Sequence, residues 1–191
     1  IDEDTDLQGQ YYKTNFDQTI HKHYLPKGEY INGPIVNEYI FLHHTAGHAN
    51  PHACIDMWGR DSRGRIATEF VLGGIDHRNG NNEHDGTLVQ AFPTGAQGWH
   101  LGKTGSGWMN RHSVGIEICS MGYLTHDNRT YVNSLCQENQ VTLLNEPFNG
   151  HNKFHSYSEA QIKATEKWIR YIGERDQIDI RLGLKQFIQK H

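Results

Sequence analysis

The stretch Glu38-Tyr39-Ile40-Phe41-Leu42-His43-His44-Thr45-Ala46-Gly47 decides how this chain folds. An apolar and aromatic run closing on a polar pair and a small-residue turn has the pattern of a buried central strand that delivers side chains to the end of a sheet. Neutral imidazole is the commonest metal ligand and titrates near neutral pH, so histidines at the mouth of a rigid strand are candidates for a site. Position alone is also compatible with a pair of satisfied histidines that only hydrogen-bond.

Working outward, Gly33-Pro34 is a turn signal ahead of this strand, and Asn50-Pro51 reads as an N-cap followed by proline at the first helical position, opening a short helix to about Trp58. Residues 66–72 and 87–92 read as strands joined in an antiparallel hairpin with a long tip. Residues 113–119 form a further strand, whose period of two sends Val114, Ile116 and Ile118 to one face and Gly115, Glu117 and Cys119 to the other. Residues 121–155 are weakly patterned and read as an insertion holding one short hairpin. Ser158 and Gln161 make a capping box, and Ala164, Trp168 and Ile172 recur at four-residue spacing, which predicts a helix over about 159–174. A second helical pattern, weakened by Gly183, runs from Ile180 to Ile188. Strands interleaved with helices give an α/β reading, a central mixed sheet flanked by helices, with residues 1–35 as an irregular N-terminal arm and 36–191 as the domain.

The bulk balance of 18 Lys and Arg against 22 Asp and Glu, net −4, offers nothing to nucleic acid or an anionic membrane. The 14 histidines are the compositional anomaly, since protonating half of them reverses the net sign. Three cysteines without a C-x-x-C spacing exclude a disulfide framework and fit synthesis in a reducing compartment. No apolar run approaches the roughly 20 residues that span a bilayer, and no signal peptide pattern is visible.

Chemistry converges on the histidine pair, on Trp99-His100, and on Glu117 within an apolar strand. A carboxylate among apolar neighbours has its charged form disfavoured, which raises its pKa toward the range useful for proton transfer. Zinc lowers the pKa of its bound water to about 7, and a nearby Glu can take that proton. Taken singly, Glu117 is equally well read as a solvated residue on an open sheet face.

In this order, residues 41–47, the segment Asp85-Gly86-Thr87-Leu88-Val89-Gln90, Trp99-His100-Leu101-Gly102, Asn110 with residues 113–117, and Tyr157-Ser158-Glu159-Ala160-Gln161 resemble the type-2 N-acetylmuramoyl-L-alanine amidases, which share a fold with the peptidoglycan recognition proteins. The resemblance covers about residues 38–175. It implies zinc-dependent hydrolysis of the amide between N-acetylmuramic acid and the first L-alanine of the peptidoglycan stem, with Zn2+ as cofactor. His43 then matches the first zinc ligand and Glu117 the acidic residue that assists the metal-bound water. His44, Trp99, His100 and Asn110 fall along the substrate groove, and Glu69 is a further candidate for substrate or metal-shell contact. The alternative of another class is a peptidoglycan-binding module of the same fold without catalysis.

Two departures stand out. Thr68-Glu69-Phe70 replaces the aromatic and histidine that members often carry, and no Gly-His-like segment that would supply two further ligands occurs between Arg175 and His191. His191 is the terminal candidate, while His44, His48 and His52 are read as surface residues because Gly47 and Asn50-Pro51 interrupt a common helix. A catalytic zinc needs three protein ligands. The expectation is therefore a chain cut short of its remaining ligands, consistent with its start at Ile1. The long loops and missing leader favour a phage endolysin made in the cytoplasm of an infected bacterium and acting on the cell wall.

Overall fold

The computed structural model describes residues 16–102 and 107–181. In chain order these form β1 (Ile20–Lys22), β2 (Tyr39–His44), α1 (Pro51–Trp58), β3 (Phe70–Leu72), β4 (Leu88–Gln90), α2 (Gly107–Arg111), β5 (Ser113–Ile118), β6 (Val141–Phe148), β7 (His151–His155) and α3 (Glu159–Arg175). Five strands make one mixed sheet in the order β1-β4-β3-β5-β2, antiparallel between β3 and β4 and parallel elsewhere.

The alternation along β5 builds two cores. Val114, Ile116 and Ile118 join Phe70, Leu72 and Leu88 against Ala164, Trp168 and Ile172 of α3. On the other face Val71, Val89 and Cys119 meet Cys54, Ile55 and Trp58 of α1. Both helices start on the expected caps. Asn50 Oδ1 accepts from the His52 and Ala53 amides, with Pro51 at the first helical position, and Ser158 with Gln161 forms the reciprocal capping box. The Ser158 hydroxyl also donates to Asp85, tying the start of α3 to the turn that leads into β4.

Two expectations are corrected, and a third gains detail. The N-terminal arm is not wholly irregular, since β1 pairs with β4 in register Ile20 with Leu88 and closes one edge of the sheet. Three residues with His21 and Lys22 facing solvent carry too little alternation to register as a strand. Within 66–72 only β3 is strand, because the Ala67 amide donates to the Trp99 carbonyl (3.3 Å) rather than to a neighbouring strand. The hairpin in the insertion, β6 with β7, turns on Asn149 and Gly150, both with positive φ (49° and 80°), the Asn-Gly signal of a tight hairpin. The second helical pattern continues past residue 181 and so lies outside the described residues.

Candidate active site

β2 and β5 run parallel with His43 opposite Glu117, so the two side chains leave the same face of the sheet near its C-terminal end. The end of β2 is fastened from two sides. Thr45 Oγ1 accepts from the Ser120 amide (3.3 Å) and the Gly47 amide (3.1 Å), and the Tyr131 hydroxyl donates to the Ala46 carbonyl (2.9 Å). Ala46 itself sits at φ 46°, a left-handed conformation that a residue with a Cβ adopts only when its surroundings impose it.

A hydrogen-bonded chain orients His43. The Ser113 hydroxyl donates its proton to the Met109 carbonyl (2.6 Å) and must therefore accept from His100 Nε2 (2.9 Å). Burial, and then the neighbouring His43, press the His100 pKa down to about 4, so this ring is neutral and its Nδ1 is an acceptor. His43 Nε2, 3.0 Å from that atom, must be the donor. The remaining nitrogen of His43, Nδ1, keeps its lone pair. An imidazole whose second nitrogen donates to a fixed acceptor is the arrangement that suits a metal ligand. Burial, and then the charge of His44, also lower the pKa of His43, favouring the neutral form that a ligand requires.

Gly115 makes room for this chain. A Cβ there would lie 2.8 Å from His100 Nδ1 and 2.9 Å from Thr68 Cγ2, closer than side chains pack. Ser113, Gly115 and Glu117 thus share one face of β5 and do three jobs on it. Ser113 orients the second imidazole, Gly115 leaves it space, and Glu117 carries the acid. The Glu117 pKa is pushed up to about 7 by burial, and its Oε2 is buried with no hydrogen-bond partner among the described residues. A partly buried acid without a partner, poised near neutrality, can hold or release a proton at pH 7.

The other predicted site residues separate into two groups. His44 leaves β2 on the opposite side from His43, packs over Gly122, and lines a cavity beneath the β6–β7 hairpin. Trp99 is half-buried next to His100, with its indole nitrogen enclosed. Asn110 is not a groove residue. It is 2% exposed, and its Oδ1 accepts from the His100 and Leu101 amides (3.1 Å each), so it shapes the loop that presents His100. Glu69 is likewise corrected. It is 3% exposed and bound by Arg175 through two contacts of 2.7 and 3.0 Å, with Gln90 and Thr94 on the same carboxylate, so its oxygens are taken up within the protein. His191 lies outside the described residues.

Two residues that matter were not singled out from sequence. Ser113 was discoverable, because the same period of two that places Glu117 also places Ser113 on its face. His155 was not, since no local pattern marks it. Its Nδ1 accepts from the Met121 amide (3.1 Å) and its Nε2 donates to Gln140 (3.0 Å), pinning β7 to the segment that follows β5. Among the described residues no group of three His, Cys, Asp or Glu side chains converges to hold a metal ion, so on their own these residues do not complete a zinc site. The three cysteines are free and buried, and burial raises all three thiol pKa values, to about 12 for Cys119, leaving them protonated packing groups.

The chain is similar to known proteins. The chain aligns over 86 residues with the N-acetylmuramoyl-L-alanine amidase CwlA of Bacillus subtilis (strain 168) at 33% identity, covering 45% of this chain and 27% of CwlA. The structure of PlyL superposes over 86% of this chain and 78% of that one with a TM-score of 0.50 at 15% identity. A point mutant of PlyL gives a TM-score of 0.52 at 12% identity, with 86% and 79% covered. At such identities these two likenesses speak to the fold. The N-acetylmuramoyl-L-alanine amidase family model, Amidase_2, matches residues 32–191, most of the chain, and the chain belongs to that family.

Proposed function

We propose that the chain hydrolyses the amide bond between the N-acetylmuramoyl group and L-alanine in bacterial peptidoglycan, with zinc as its cofactor. The observation that carries this reading is the pairing of His43 and Glu117 on one face of adjacent parallel strands. One presents a bare imidazole nitrogen in a fixed tautomer, and the other a carboxyl group with an unpartnered buried oxygen. Zinc, when bound, would supply Lewis acidity at the scissile carbonyl. His43 is its ligand among the described residues, and the further ligands lie outside them.

The chain's own residues have separable tasks. Ser113 and His100 hold the His43 ring so that Nδ1 faces the site. Glu117 accepts a proton from the attacking water and returns one to the departing amine, a role suited to a group that titrates near neutrality. The amidase CwlA supports the assignment of substrate. The source reading is that of a phage endolysin made in the cytoplasm and released to the cell wall.

The second reading is a peptidoglycan-binding module of the same fold without turnover. Elemental analysis together with release of L-alanine amino termini from purified peptidoglycan separates the two. The amidase reading expects about one zinc per chain and cleavage that disappears in His43→Ala. Binding to peptidoglycan with no bound zinc and no new amino termini would establish the module instead.

A further inference from the structure

The insertion between β5 and α3 does more than fill space. Beneath the β6–β7 hairpin it encloses a cavity of about 450 Å3, within the range of about 300–1,000 Å3 that small-ligand sites occupy. Its walls are aromatic rather than aliphatic, with Tyr123, Phe148, Phe154 and Tyr157 contributing, and the Tyr123 ring stacked on His151 with centroids 4.0 Å apart. No Lys, Arg, Asp or Glu lines it. Neutral polar groups stand among the rings, including the Thr142 and Ser156 hydroxyls, hydrogen-bonded to each other at 2.7 Å. The cavity lies at the same end of the sheet as the candidate active site. His44, the residue after His43, forms part of its wall, and Tyr157, another part, lies within the electrostatic reach of Glu117.

We infer that this cavity is a saccharide subsite, taking a neutral N-acetylhexosamine ring of the glycan strand. The inference rests on the amidase reading for the identity of the polymer. An amide between a sugar acid and a peptide has two sides of different chemistry. The peptide side carries free carboxylates and, in many stems, an ammonium group, and would meet no opposite charge in this wall. A pyranose ring is uncharged, offers flat C–H faces whose partial positive charge suits the negative face of an aromatic ring, and carries hydroxyl and acetamido groups for neutral polar partners. The cavity matches the sugar on each count.

The test uses the whole chain and no turnover. Titration with an N-acetylglucosamine tetrasaccharide, followed by NMR of the aromatic side chains, is expected to shift the Tyr123, His151 and Phe154 resonances saturably. The tripeptide L-alanyl-γ-D-glutamyl-L-lysine is expected to leave them in place. Tyr123→Ala and Phe148→Ala, both at partly exposed rings, are each expected to weaken the tetrasaccharide by about tenfold. His43→Ala is expected to abolish cleavage and leave sugar affinity unchanged, so failure of the amidase reading and failure of the subsite are read separately. Shifts produced by the tripeptide and not the sugar, sugar shifts confined to residues outside the cavity, or undiminished affinity in both aromatic variants would overturn the inference.

Discussion

Two carboxylates are drawn out of water in this molecule and meet opposite fates. Glu69, just ahead of β3, is held by Arg175, which also binds Asp176 at 2.7 Å, and Gln90 and Thr94 complete the coordination of its oxygens. Glu117, one strand over in β5, keeps a buried oxygen without a partner among the described residues and a pKa pushed up to about 7 by burial. The same desolvation acts on both. Where a guanidinium closes the network, the charge becomes part of the architecture. Where nothing closes it, the group stays undecided about its proton, and that indecision is what proton transfer needs.

The largest effect that sharpens this contrast is on turnover. Glu117→Gln keeps the size and removes the titration, so peptidoglycan cleavage should fall by about 100- to 10,000-fold, the usual contribution of a general acid–base group. Melting temperature should hold or rise, because an unpaired buried acid is replaced by a neutral amide. Retention of full cleavage with bound zinc would remove Glu117 from the mechanism.

Next in size is the structural member of the pair. Arg175→Met leaves Glu69 as an uncompensated buried charge, and denaturant unfolding should show a loss of about 3–5 kcal/mol. The same network anchors the C-terminal end of α3 to the loop before β3, so Trp168 fluorescence should report the loosening. A change below about 1 kcal/mol would mean that water reaches Glu69 and that its burial is not what decides its role.

Acid and base separate the two carboxylates further. The pKa of Glu117 is near 7 in the folded chain against 4.5 ordinarily. Between those values the folded state retains a proton that the unfolded state has released, so the contribution of Glu117 to stability should fall as pH rises from about 4.5 to 7 and level off above, on the order of 3 kcal/mol, while His100 and His155, held down to about 4 by burial, contribute a rise over much of the same window. Urea unfolding of the metal-free chain across that window measures it. Glu117→Gln should remove the falling component and leave the rise from the histidines, while a difference between parent and variant that does not change with pH would show that Glu117 is not the group titrating there.

The contrast between the carboxylates also marks how far the sequence could be read. Glu117 was legible because a charged residue inside Val114-Gly115-Ile116 and Ile118 breaks an apolar alternation, and alternation is a local property. The caps at Asn50 and Ser158 and the four-residue spacing along α3 were legible for the same reason. Glu69 was misplaced at the groove because its partner lies 106 residues away, and no local pattern announces Arg175. Asn110 failed likewise, its side chain serving the backbone of the loop at His100 rather than solvent. The chain from Met109 to His43 depends on which of two nitrogens carries a proton, a matter decided only when Ser113 and His100 are brought together.

The smallest expected effect is the most discriminating. If Glu69 and Arg175 serve chiefly each other's charge, then removing both should cost less than removing Arg175 alone, since Asp176 is then the one buried carboxylate left without the guanidinium. In Glu69→Gln/Arg175→Met, Asp176 still receives the Asn37 side-chain amide at 2.8 Å, and Gln90 and Thr94 retain an oxygen to donate to. The double variant should therefore recover part of the loss seen in Arg175→Met, the remainder being the cost of Asp176 without its guanidinium, with cleavage unchanged. Lost cleavage in a double variant of normal stability would give Glu69 a part in the reaction after all. That outcome would erase the distinction between the two acids, because a charge closed by a guanidinium would then be shaping the site as much as the one left open.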